Sequence, residues 1–242
     1  ADPAERAASP RPVVAVLPGS RLPEALGNLR LLLGVLQRLP ASQGGSVAGE
    51  PILRAALVDA LEPAAIGAMA QPCGWRLEAA GAGCGAPQRP PLALVRGERR
   101  LELHWRAFAN VLSGCDLVLA MSGTASEQAV ALARPVLQLA GPGPQFTPGF
   151  AEAQRRLLGP GVSCAAGPVG APETLAATAR MLREHLNRLA DPVAGPLWRR
   201  QLEAIAAERL GAPGGSARIA QAIMDNLAVP ADGGPAHALR SA

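Results

Sequence analysis

Asp116-Leu117-Val118-Leu119-Ala120-Met121 runs directly into Ser122-Gly123-Thr124-Ala125-Ser126-Glu127. The first six residues form an almost unbroken apolar run, the pattern of a strand covered on both faces. The next six are small, hydroxylated and glycine-bearing, and they lead into a helix predicted over 126–133. A buried strand that feeds a short loop and then a helix is the building unit of a parallel sheet. The same unit opens the chain. Pro12-Val13-Val14-Ala15-Val16-Leu17 predicts a strand and Pro18-Gly19-Ser20 closes it. Leu29, Leu31, Leu32, Leu33, Val35, Leu36 and Leu39 then give a helix its broad apolar face, with Asn28, Arg30, Gln37 and Arg38 outside it.

The alternation continues outward from these two units. A strand is predicted over 52–58, a helix over 63–70 started by Pro63, and a hairpin from 92–95 and 101–103 around Arg96-Gly97-Glu98-Arg99. A short helix follows over 107–113 and a strand over 135–139. Helices are predicted near 150–158, 173–189, 196–210 and 215–227. Residues 41–50 and 79–91 read as Gly/Ser and Gly/Ala/Pro loops, and residues 1–11 and 229–242 as a loose N-terminal segment and a disordered tail. With no run of consecutive strands, the expected fold class is α/β. It is a single doubly wound, mostly parallel, Rossmann-like domain over 12–228.

Composition agrees with that architecture and excludes others. The 242 residues suit one large domain or two small ones, at roughly 150 residues per domain. Apolar residues are 49% and charged residues 17%, unlike a disordered chain. Aromatics are only 2%, which argues against an all-β sandwich or barrel. The net charge of +4 comes entirely from arginine, since the chain has no lysine. These arginines form no basic block and have no interleaved aromatics, so nucleic acid is not an expected partner. Cys73, Cys84, Cys115 and Cys164 fit neither a metal pattern nor a disulfide framework, and three scattered histidines predict no metal site. The uncharged stretch 135–151 is broken by glycines and prolines, so no transmembrane segment is expected. The expected location is the cytoplasm, at the inner face of a membrane.

Two loops carry the candidate chemistry. Ligands of such sheets bind beyond the carboxyl ends of the strands, where loops run into helix N-termini. In the first loop Gly19 and Ser20 offer backbone for close approach, Arg21 a rigid donor fork for phosphate, and Glu24 stands in the first helical turn. In the second, the N–H groups of Gly123 and Thr124 with the Ser122 or Thr124 hydroxyl suit another set of phosphate oxygens. Glu127, one turn on, suits a ribose diol. Thr124-x-x-Glu127 also has the spacing of a capping box, and on spacing alone that is the stronger reading. Neither loop is a GxGxxG fingerprint or a P-loop, which disfavours NAD and ATP hydrolysis. A third segment, 141–154, brings Gln145, Glu152 and Gln154 as candidate partners for sugar hydroxyls. Phe146 either shields an apolar ligand face or, the favoured reading, packs with Phe150 into the core.

Taken together, Leu17-Pro18-Gly19-Ser20-Arg21 with Glu24, then Ser122-Gly123-Thr124-Ala125 and Glu127-Gln128, resemble the lipid-A-disaccharide synthase family of GT-B glycosyltransferases. Gly143-Pro144-Gln145-Phe146-Thr147, Phe150-Ala151-Glu152-Ala153-Gln154 and Arg156-Leu157-Leu158-Gly159 are similar to its synthase-related branch. The resemblance extends over residues 12–225. It implies the C-terminal, UDP-sugar-binding half of a hexosyltransferase that acts on a lipid-linked or cell-envelope acceptor, with no metal and no cofactor beyond the donor. Gly19, Ser20, Arg21, Ser122, Gly123 and Thr124 would face the diphosphate, Glu127 the ribose and Gln145 the donor sugar. In that family the glutamate stands one residue further from the Ser-Gly-Thr loop than Glu127 does. The helix predicted over 196–210 would run back to an N-terminal acceptor domain, which the start at Ala1 places on a longer chain or on a partner. No catalytic base is identified; His104 reads as structural. Two alternatives share the fold: a UDP-sugar-binding or scaffold module without transfer, and a UDP-N-acetylhexosamine epimerase-like protein.

Overall fold

Val13-Val14-Ala15-Val16-Leu17 forms strand β1, and its five residues are all buried because they face two different cores in turn. Val14 and Val16 join one core, Val13, Ala15 and Leu17 the other. The computed structural model describes residues 11–42, 49–79, 91–211 and 214–228. Helix α1 (Glu24–Gln37) lays Leu29, Leu32, Leu33 and Leu36 on the first core, beside α2 (Pro63–Ala70) and α6 (Pro172–Ala190). On the second core, α3 (Phe108–Ser113), α4 (Thr124–Ala131) and α5 (Pro148–Leu158) contribute Val111, Leu112, Ala129, Val130 and Leu158.

Between them lies one eight-stranded sheet, in the order β3-β4-β5-β2-β1-β6-β7-β8. Its strands are β2 (Ile52–Leu57), β3 (Arg76–Ala79), β4 (Leu92–Arg96), β5 (Arg99–Trp105), β6 (Leu117–Ala120), β7 (Val136–Gln138) and β8 (Val162–Cys164). From β5 to β8 every pairing is parallel. The direction of winding reverses between β1 and β6, and their register sets Leu17 opposite Ala120. The loops that leave these two strands are therefore level and side by side.

The doubly wound α/β reading stands, with additions. Two strands were not expected: β3 is a short edge strand whose Arg76-Leu77-Glu78-Ala79 carries little apolar signal, and β8 is three residues long. Consequently β3, β4 and β5 do form a run of consecutive strands, joined antiparallel. Helix α7 (Ala194–Leu210) buries Trp198, Leu202 and Ala206 and packs on α4, α5 and α6. The expected loop residues 43–48 and 80–90, most of the expected loose ends, and Cys84 lie outside the described residues.

The first compact unit ends at Leu210, and a second begins at Gly211. In the latter, α8 (Gly215–Ala228) carries Ile219, Ile223 and Leu227 at four-residue spacing, one face of a helix. Among the described residues no helix is long and apolar enough to cross a membrane.

A buried arginine and a half-buried histidine tie distant segments. The Arg183 guanidinium, on a residue only 7% exposed, donates to Pro40 O at 2.7 and 3.0 Å, to Gly49 O at 3.4 Å and to Glu50 Oε1 at 3.0 Å. His185 Nε2 lies 2.8 Å from Ser163 Oγ, and its ring centroid is 5.2 Å from that of Trp198. Burial first, and the Arg188 charge second, push the His185 imidazolium below its ordinary range. The unfolded chain therefore takes up this proton at a higher pH than the folded one. The stability tied to neutral His185 is complete above about pH 6.5 and is lost as pH falls toward the folded value. Urea midpoints measured between pH 7.5 and 5 should fall with acidification, and His185→Gln should flatten that fall.

Candidate functional site

Where the winding reverses, a cleft of about 740 Å³ opens between the loops after β1, β6 and β7. Gly19, Ser20, Arg21 and Glu24 line it from the first loop, Ser122, Gly123 and Thr124 from the second, and Gln145 and Phe146 from the third. Sequence reasoning named all nine as candidates, although for Phe146 it favoured packing into the core. Glu127, Glu152 and Gln154 do not line it.

The first loop turns on Gly19, whose φ of +97° suits glycine; a Cβ there would sit 3.3 Å from Met121 O. Arg21 is exposed at the rim, and its side chain makes no hydrogen bond or ion pair among the described residues. Glu24 Oε1 accepts from the N–H groups of Gln145 and Phe146 at 3.2 and 3.3 Å, which moors the third loop to the first turn of α1. Gly143 leaves room for this contact, since a Cβ there would overlap the Glu24 carboxylate where it now sits.

The second loop overturns the capping-box reading. Gly123 is the N-cap of α4, and no side chain caps the helix. The Thr124 hydroxyl is left to the solvent side, and the N–H groups of Gly123, Thr124 and Ala125 have no acceptor among the described residues. Ser122 Oγ is buried and likewise unpartnered. An uncapped helix start with open N–H groups carries partial positive charge and is ready for an anion.

Glu127 is engaged elsewhere. Its Oε1 accepts from Gln154 Nε2 at 3.2 Å, Gln154 Oε1 accepts from Gln138 Nε2 at 2.9 Å, and that same Nε2 lies 3.4 Å from Ser126 Oγ. Ser126 and Gln138 have no exposed surface, and Gln154 is 4% exposed. Gln128, the neighbour of Glu127, lines the cleft instead. Glu152 is clasped by Arg155 and Arg156, each within 2.8 Å, whose hydrogen bonds pull its carboxyl down to about 2. Phe146 is buried and meets the exposed Phe150 edge-on at 5.6 Å, so only one of the pair packs inward. His104 pairs with Glu102 on its own strand, at 3.3 Å.

Sequence reasoning missed Asn28, Ser126, Gln128 and Gln138. Asn28 was placed outside the apolar face of α1, yet it is 3% exposed and donates to Pro18 O at 2.9 Å. A signal for Gln138 did exist: it is the one polar residue within an otherwise apolar strand.

No family model and no curated protein matches the chain. Solved structures do. A putative UDP-N-acetylglucosamine 2-epimerase from Listeria monocytogenes matches with a TM-score of 0.50 at 18% identity, over 94% of this chain and 48% of its own. The chain shares the α/β fold of about half of that structure. The calicheamicin glycosyltransferase CalG4 matches with a TM-score of 0.48 at 18% identity, over 91% of this chain and 46% of that one. The chain thus spans about half the length of both structures.

Proposed function

We propose that the cleft binds the diphosphate of a UDP-sugar, and that the chain is the donor-binding half of a hexosyltransferase. The observation that carries this reading is the convergence, at the level ends of β1 and β6, of two glycine loops with open N–H groups and an unpaired Arg21. Transfer from such a donor leaves a diphosphate that gains charge as the glycosidic bond breaks. Preset N–H donors, a helix start and a guanidinium stabilise that charge. In this proposal Gln145 stands by the donor sugar. Gln128, which faces the cleft, takes the ribose in place of the relay-bound Glu127.

Among the described residues Arg21 and Glu24 are the only ionisable ones that line the cleft, and Glu24 is committed to two backbone N–H groups. The described lining therefore offers no free base to deprotonate an acceptor hydroxyl. That division of labour supports an acceptor-binding domain, on a longer chain or a partner, that brings both the base and the acceptor. The resemblance favours a lipid-linked or cell-envelope acceptor as in lipid-A-disaccharide synthases. The same lack favours, as a second reading, a module that binds UDP-sugar without transfer, over an epimerase, whose base must reach the sugar.

Calorimetric titration of the chain with UDP, ADP and UDP-N-acetylglucosamine tests the reading. Binding of both uridine ligands, with ADP weaker by at least tenfold, is expected. Equal affinity for ADP would remove the uridine assignment, and no binding of any of the three would remove the donor site.

A further inference from the structure

Both glycine loops use one device. After β1, Asn28 Nδ2 on α1 donates to Pro18 O at 2.9 Å. After β6, Ser126 Oγ on α4 donates to Ser122 O at 2.7 Å. In each case the carbonyl belongs to the residue immediately before the glycine, and the donor is a side chain buried in the following helix. Both peptides are trans. Across a planar trans peptide the C=O and the next N–H point in opposite directions. A carbonyl drawn back onto its helix therefore turns the N–H of Gly19, or of Gly123, away from that helix and toward the cleft that both glycines line. Neither N–H has an acceptor among the described residues.

The polarity of the second clamp is fixed from a distance. The Glu127 carboxylate can only accept, so Gln154 must present Nε2 to it and Oε1 to Gln138. Gln138 Nε2 then donates a hydrogen bond to Ser126 Oγ, whose own O–H donates to Ser122 O. A chain of four side chains, anchored on one charge, thus sets a single peptide.

We propose that Asn28 and Ser126 are positioning residues that aim the N–H groups of Gly19 and Gly123 at one diphosphate, so that the cradle is set before the ligand arrives. This rests on the reading of the cleft as a nucleoside-diphosphate site. Donors already oriented need no rearrangement on binding, and the cost of turning them is met during folding.

The test is an amide NMR titration of the full chain with UDP, inorganic pyrophosphate and uridine. In the unmodified protein the amide protons of Gly19 and Gly123 should move downfield with UDP and pyrophosphate and stay put with uridine. Asn28→Leu should abolish the shift of Gly19 and weaken UDP and pyrophosphate about tenfold with uridine affinity unchanged. Ser126→Ala should do the same at Gly123, and Ser126→Thr, which restores a hydroxyl, should recover both shift and affinity. Should Asn28→Leu fail to fold, Ser126→Ala carries the test, since it removes a single oxygen. Wild-type UDP affinity with both shifts intact in the variants overturns the proposal. Equal weakening of UDP and uridine also overturns it, by reducing the two residues to general scaffolding. If the unmodified protein binds pyrophosphate but not uridine, the cradle stands and the uridine reading falls. If it binds no diphosphate, both fall.

Discussion

Arg21→Ala lowers the affinity of the chain for UDP at least tenfold, about 1.4 kcal/mol, and leaves its thermal unfolding where it was. Both halves of that expectation come from the setting of the side chain. Arg21 lines the cleft, is exposed, and its guanidinium holds no partner among the described residues. No internal bond is lost on truncation, so the folded state is untouched. What is lost is a planar fork of donors aimed at an anion, and hydrogen bonds to charged groups contribute about 1.5–3 kcal/mol each. Arg21→Lys should recover part of the loss, because an ammonium keeps the charge but not the two-pronged geometry. Calorimetry on the three proteins decides it. An Arg21→Ala chain that binds UDP as tightly as the parent removes this residue from the phosphate site.

Leu119→Ala should have the largest effect on stability, roughly 2–5 kcal/mol. Leu119 is wholly buried in the middle of β6 and belongs to the core under α1 and α6. Its strand pairs on both sides, with Val16 of β1 opposite and Leu137 of β7 beyond. Neighbours held in two ladders have little freedom to collapse into the space left by the missing carbons, so most of the cavity persists. The urea midpoint should drop without a change in slope. Leu157→Ala, at a side chain 62% exposed, should shift it by less than 0.5 kcal/mol, about the size of an ordinary surface change. A Leu119→Ala loss as small as that of Leu157→Ala would mean that the two cores do not pack as described.

Much of the fold was legible because its strands are buried on both faces. Val13 to Leu17 and Leu117 to Ala120 are unbroken apolar runs, and such runs have few other homes. The elements that escaped, β3 and β8, are short and lie at the two edges of the sheet, where one flank needs no apolar side chains. At the site, residues whose backbone does the work were found, because glycine and small hydroxylated residues after a strand announce a loop. Residues that act through buried polar side chains were not. Asn28 looks solvent-facing on a helix otherwise read by its leucines, and Ser126 looks like an ordinary helix-starting residue. Only the packing shows that each holds a carbonyl. Thr124 and Glu127 had the right spacing to cap α4, but Gln154, twenty-seven positions away, takes the carboxylate first.

The Arg183 clamp bears on how this protein can be handled. One guanidinium grips Pro40 as the chain leaves the α1 region and Gly49 and Glu50 as it returns to β2. Whatever joins those two anchor points, their separation is fixed by a third segment of the chain. Lengthening a connection whose ends are already pinned costs little, since closure entropy grows only with the logarithm of its length. Added length between the two anchor points, as in a grafted peptide epitope, should therefore cost little stability. None of the anchoring residues Pro40, Gly49, Glu50 and Arg183 lines the cleft, so added length between the anchors leaves the ligand-lining residues unaltered.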